Sequence, residues 1–188
     1  MNKTSYIVTI IVILFIGLTI YLSGPKPSGT KQDFAEEVLA AKFEELSQNG
    51  NSTCSASFAG SMDSMLDSAR LQGSCCSPMS MHRYSEQVEG LKKYRQIQEV
   101  PPDPYDIEAG LAKKLKRYYD ATLTPEEQQI YDYAMQNSRE KGPCCCKCWR
   151  WYVYGGLAKL LIQKYHFTGE QIVDVWNLSD GCGGDSEH

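Results

Sequence analysis

Apolar positions along the chain follow two different patterns. Tyr6 to Leu22 is a solid apolar run without a charge. It is close to the ~20 residues that cross a bilayer. Beyond it, apolar residues recur at three- and four-residue spacing between polar ones, the period of helices buried on one side. No stretch alternates apolar and polar with period two, and no unit repeats.

Asp33 caps a helix carrying Phe34, Val38, Leu39, Phe43 and Leu46 to about Gln48, where Asn49-Gly50 turns the chain. Phe58, Met62, Met65, Leu66 and Ala69 give a short second helix. Ser77-Pro78 reads as an N-cap and first helical residue, opening a helix through Tyr84, Val88, Leu91 and Tyr94 to about Gln98. Val100-Pro101-Pro102-Asp103-Pro104 is a rigid break, after which Asp106 caps a helix with Leu111, Leu115, Tyr118 and Tyr119.

Thr124-Pro125-Glu126-Glu127 and Thr168-Gly169-Glu170-Gln171 both have the capping-box pattern. The first helix runs past Ile130, Tyr131, Ala134 and Met135 toward Gly142. The second carries Ile172, Val175 and Trp176. Between them Trp149 to Tyr165 is apolar nearly all round, so it is the central helix. Gly155-Gly156 would let another backbone approach it closely. The fold class is therefore all-α, a small helical bundle or orthogonal helical domain of about six to seven short helices behind one N-terminal transmembrane helix.

The domain divisions follow: an anchor at 1–23, a Pro/Gly/Ser/Lys linker at 24–32, a cysteine-rich helical domain at 33–180 and a flexible tail at 181–188. A cleaved signal peptide is the rival to the anchor. Ile20-Tyr21-Leu22-Ser23-Gly24 fits a cleavage site poorly. Both versions send the domain outside the cytoplasm, the anchored one as a single-pass membrane protein. Asn51 and Asn177 then lie in glycosylation sequons.

A formal net charge of -4 excludes the basic face that nucleic acid requires. No Ser/His/Asp arrangement or phosphate-binding glycine loop appears, and three histidines speak against a histidine-based hydrolase. The chemistry is in the cysteines. Eight are present, and four of them sit in Pro143-Cys144-Cys145-Cys146-Lys147-Cys148-Trp149.

An extended segment would point Cys144, Cys146 and Cys148 one way. A helical one would group Cys144, Cys145 and Cys148. Either brings three sulfurs together, which suits Cu(I), while a fourth ligand would suit Zn²⁺. Cys75, Cys76, His82 and Cys182 are the candidates for that fourth position. Cys75 and Cys76 would stand just before a helix N-terminus, and Lys147 and Arg150 flank the other thiols, so thiolate is favoured.

Met79 and Met81 offer thioethers but serve equally as core filler. The candidate metal ligands are Cys75, Cys76, His82, Cys144, Cys145, Cys146 and Cys148, with Cu(I) or zinc as the ion. Two rivals stand beside metal binding. One is a disulfide-stabilised interaction domain, bridging Cys75 or Cys76 to the 144–148 group and Cys54 to Cys182. The other is a thiol-disulfide oxidoreductase.

Pro143-Cys144-x-Cys146-x-Cys148, preceded by Thr124-Pro125-Glu126-Glu127 and Ile130-Tyr131-Asp132-Tyr133-Ala134, resembles the signature of the bacterial PCYCGC-motif proteins. Many of these are membrane-attached. The resemblance covers residues 124–149. Cys145 stands in place of Tyr, Lys147 in place of Gly, and the family's downstream cysteine-rich portion has no counterpart. It implies that Cys144, Cys146 and Cys148 act as a set in metal binding.

Overall fold

The structure, a computed structural model, describes residues 31–184. The chain divides into two compact units, 1–38 and 39–188. The described residues hold seven α-helices and one two-stranded ribbon: α1 (Lys31–Gln48), α2 (Ala56–Ser64), β1 (Arg70–Gln72), α3 (Met81–Leu91), β2 (Asp106–Glu108), α4 (Ala109–Tyr118), α5 (Pro125–Asn137), α6 (Trp149–Tyr165) and α7 (Gly169–Ser179). The mostly helical expectation holds. Among the described residues no helix is long and apolar enough to cross a membrane. The apolar run Tyr6–Leu22, and with it the anchor and linker, lies outside them.

α6 forms where its sequence predicts, residue for residue. Its N-cap is Cys148, and it ends at His166, whose left-handed backbone returns its N–H to the last turn. Eleven of its residues are buried, among them Trp149, Val153, Leu157, Leu160 and Leu161. Helices α2, α4, α5 and α7 pack around it. Gly156 is the point of closest approach. A Cβ there would lie 1.9 Å from the Leu115 carbonyl oxygen of α4.

Both capping boxes are formed, at Thr124/Glu127 on α5 and at Thr168/Gln171 on α7. α5 stops at Asn137, short of Gly142. The Ser138 hydroxyl then binds the Gly142 N–H and carbonyl and closes a tight turn into the cysteine stretch. A second, smaller core joins Leu46 of α1 to Tyr84 and Tyr105, with Phe43, Met79 and Met81 packed against it.

Four local expectations are corrected. α2 ends at Ser64, so Met65, Leu66 and Ala69 lie beyond it. α3 begins at Met81 with Ser80 as its N-cap, so Cys75 and Cys76 are not at a helix N-terminus. Asp106 caps no helix. It lies in β2, paired antiparallel to β1 with Leu71 opposite Ile107, and its carboxylate binds Arg70 at 2.8 Å and Lys42 at 3.0 Å. Three-residue strands are too short to leave a period-two signal in the sequence.

The tail expected to be free from residue 181 is held down through Gly184. Cys182 is buried, and its carbonyl accepts the Cys76 and Ser77 N–H groups. Gly183 has φ +83°, and a Cβ there would come within 2.0 Å of the Ser77 carbonyl oxygen.

Candidate metal-thiolate site

Four segments bring cysteines to the N-terminal end of α6: the loop at Cys54, the turn at Cys75-Cys76, the bends at 144–148 and the tail at Cys182. Each is fixed by polar contacts of its own. The Ser52 hydroxyl donates to the Gly73 carbonyl at 3.0 Å and ties the Cys54 loop to the Cys75 turn. The Cys75 N–H donates to the Gly181 carbonyl, joining that turn to the tail. From α3, Gln87 and Arg83 donate to the Asp180 and Asn177 carbonyls and hold the base of the tail.

All eight sulfurs lie in one continuous set. Five triads have every Sγ within 4.8 Å of the others: Cys54/146/148, Cys75/76/182, Cys75/144/148, Cys76/145/146 and Cys144/145/182. Among the described residues no triad contains His, Asp or Glu, and none extends to four sulfurs. Contacts include Cys75–Cys76 at 3.7 Å, Cys76–Cys145 at 3.6 Å, Cys144–Cys148 at 3.7 Å and Cys144–Cys182 at 3.3 Å. A metal with M–S bonds of about 2.3 Å sets its sulfurs roughly 3.8–4.0 Å apart, so these sulfurs stand near ligand spacing.

Two pairs are joined as disulfides, Cys54–Cys146 and Cys145–Cys182. Their Cα separations are 7.4 and 6.9 Å. Relaxed bridges span about 4.4–6.8 Å. Neither pair is one the sequence suggested: Cys54 joins Cys146 rather than Cys182, and Cys75 and Cys76 are free. The bends at 144–148 are neither strand nor helix. They turn Cys144 and Cys148 inward toward Cys75 and leave Cys145 exposed.

Arg150 supplies the charge. It is fully buried on the first turn of α6, stacked 4.5 Å from Trp149, and donates to the carbonyls of Pro104 and of Gly73, the latter at 2.9 Å. Its Nε has no partner, and no carboxylate forms an ion pair with it among the described residues. Gly181 makes room for it, since a Cβ there would lie 2.2 Å from the guanidinium.

A buried cation needs compensation. Burial opposes its charge, but Tyr154, Cys75 and Cys144 outweigh that and keep it protonated. In return the Cys75 thiol falls well below its ordinary range, through hydrogen bonds from Cys144 and Cys148 and the nearby Arg150. Burial, with the charge on Cys75, pushes Cys76 up to about 12. The cluster thus holds a thiolate at Cys75 among protonated neighbours.

Of the candidates read from sequence, Cys75, Cys76, Cys144, Cys145, Cys146 and Cys148 all enter the set. His82 does not. It is exposed on α3 and belongs to no triad. Met79 and Met81 are core filler. Lys147 lies over the Trp151 ring at 5.6 Å and leaves Arg150 as the cation at the sulfurs. Sequence reasoning missed Cys54 as a member; an isolated cysteine carries no spacing signal.

A cleft of about 190 Å³, lined by Arg83, Arg139 and Asp180, opens on Cys76 and Cys145 and gives solvent a path to the sulfurs. No family model matches the chain, and no curated protein or solved structure matches it either.

Proposed function

We propose that this is a membrane-anchored extracytoplasmic protein that binds a thiophilic metal ion, Cu(I) or Zn²⁺, through its cysteine cluster. The convergence of eight sulfurs from four chain segments carries the proposal. A domain that needed only bridges would not gather free thiols beside them. Here Cys75, Cys144 and Cys148 are free and mutually close, and they lie beside a buried arginine. Soft thiolate donors without carboxylates or imidazoles select Cu(I) or Zn²⁺ over hard cations. The anchor rests on the apolar run Tyr6–Leu22. The resemblance to PCYCGC-motif proteins agrees with both parts.

The test is elemental analysis of anaerobically purified protein, with a free-thiol count and a melting curve before and after chelation. Bound copper or zinc is expected, with melting lowered on its removal, because a ligand that binds only the folded state stabilises it. Protein free of metal, unable to take up either ion after reduction, would refute the proposal.

One other reading has its own observation. The two joined pairs favour a disulfide-stabilised domain. Under it, thiol counting finds four unreactive cysteines and no metal after reduction.

A further inference from the structure

The geometry points to a polynuclear Cu(I)–thiolate cluster at the head of α6, with bridging sulfurs, whose capacity is set by the two disulfides. This rests on the metal reading above and specifies its ion, its coordination and its regulation.

The coordination number comes from the triads. Each of the five is three sulfurs, and none has a fourth within the same distance. Tetrahedral Zn²⁺ in a structural site needs four ligands, whereas three thiolates suit Cu(I). The nuclearity comes from shared membership. Seven of the eight cysteines belong to two triads each, and Cys54 alone belongs to one. Separate mononuclear sites would divide the sulfurs; these share them, as bridging thiolates do. Eight thiolates around a handful of monovalent ions leave the cluster anionic. Arg150, buried against Trp149 and without a carboxylate ion pair among the described residues, is its counter-charge.

The regulation comes from which triads survive oxidation. Only Cys75/144/148 consists wholly of free cysteines. Every other triad contains Cys54, Cys145, Cys146 or Cys182, which are tied up in the two bridges. The oxidised protein therefore offers one three-sulfur site, and opening the bridges frees the sulfurs that the other four triads need.

Each bridge opens by exchange with a dithiol reductant. Two electrons break the S–S bond, both sulfurs take up a proton, and the reductant leaves as its own disulfide. Each Cu(I) that then binds displaces the protons of its thiol ligands to solvent. The cleft beside Cys76 and Cys145 gives the reductant and the ion access to the outer sulfurs.

The test titrates full-length protein with Cu(I), supplied as its acetonitrile complex under anaerobic conditions. Metal stoichiometry is read by native mass spectrometry, once with the disulfides intact and once after phosphine reduction and removal of the phosphine. The reduced protein is expected to pass cooperatively from the metal-free form to a form with about four or five Cu(I). The oxidised protein is expected to take no more than one.

Cys75→Ser should abolish binding in the oxidised form. Cys54→Ser, which touches one triad, should lower the reduced capacity by about one ion; in the oxidised form it frees Cys146 but completes no further triad, so uptake should still not exceed one ion. Circular dichroism checks that each variant is folded. Fewer than about four ions in the reduced protein, filled one at a time, or equal uptake in both redox states, would overturn the cluster while leaving metal binding intact. No Cu(I) in either state would remove the metal reading itself.

Discussion

At the scale of single residues, Arg150 decides the most. It joins the two distant carbonyls of Gly73 and Pro104, fills the space under Gly181 and places a positive charge against sulfur. Arg150→Met keeps much of the length and loses the donors and the charge. Leaving the buried Pro104 carbonyl unpaired, while the Gly73 carbonyl keeps the Ser52 hydroxyl, should lower stability by about 1–3 kcal/mol in urea unfolding. The thiolates also lose their counter-charge, so Cu(I) affinity should fall in competition with a chromogenic chelator. Arg150→Lys should restore part of the affinity and little of the stability, because an ammonium group cannot reproduce the guanidinium fork.

At the scale of elements, the packing of α4 on α6 depends on a single hydrogen atom. Gly156→Ala would push a methyl group into the Leu115 carbonyl. Backbone cannot step aside cheaply, so about 3 kcal/mol or more of stability should be lost, read as a lowered urea midpoint. Helix propensity alone predicts the opposite sign, since alanine is favoured over glycine by about 1 kcal/mol.

Glu99 joins the same elements. It is buried, accepts from Lys164 at 2.9 Å, Tyr165 at 2.8 Å and Lys114 at 3.3 Å, and so ties α4 to the end of α6. Burial would raise its carboxyl, but these partners outweigh it and hold the group down at about 2. A depressed carboxyl stabilises the fold above the unfolded-state value and loses that contribution as pH falls through the folded one. Stability should therefore decline between pH 4.5 and 2. The lysines are half-exposed, so the loss is about 1–2 kcal/mol. Glu99→Gln should flatten that part of the pH–stability curve.

At the scale of the whole molecule, the cluster is where the chain closes on itself. The tail at Cys182 meets the Cys75 turn and the Cys144 bend, so each bridge spans a long separation, 92 residues for Cys54–Cys146 and 37 for Cys145–Cys182. Free thiols touch both ends of the second bridge, Cys76 at Cys145 and Cys144 at Cys182. Exchange needs such proximity and a thiolate, and both of these thiols are held protonated. Non-reducing peptide maps prepared at neutral pH should therefore retain the Cys145–Cys182 bridge, and a Cys76–Cys145 bridge should grow in as the pH of the digest is raised. Scrambled pairs already abundant at neutral pH would mean that these thiols are not held protonated.

What the sequence determined alone was local. The apolar wheel of Trp149–Tyr165 and the boxes at Thr124 and Thr168 specify helices through contacts within a few residues, and those helices formed where expected. The concentration of thiols in 144–148 marked, for the same reason, the stretch around which the other cysteines gather. The ribbon, the start of α3 and the docking of the tail depended on partners far along the chain, such as Arg70 for Asp106 and Cys182 for Ser77. Only the tertiary structure could decide that Cys54 belongs with the other seven cysteines and His82 does not. Ligand sets are defined by distances through space, and an isolated residue shows none of these in its neighbours along the chain.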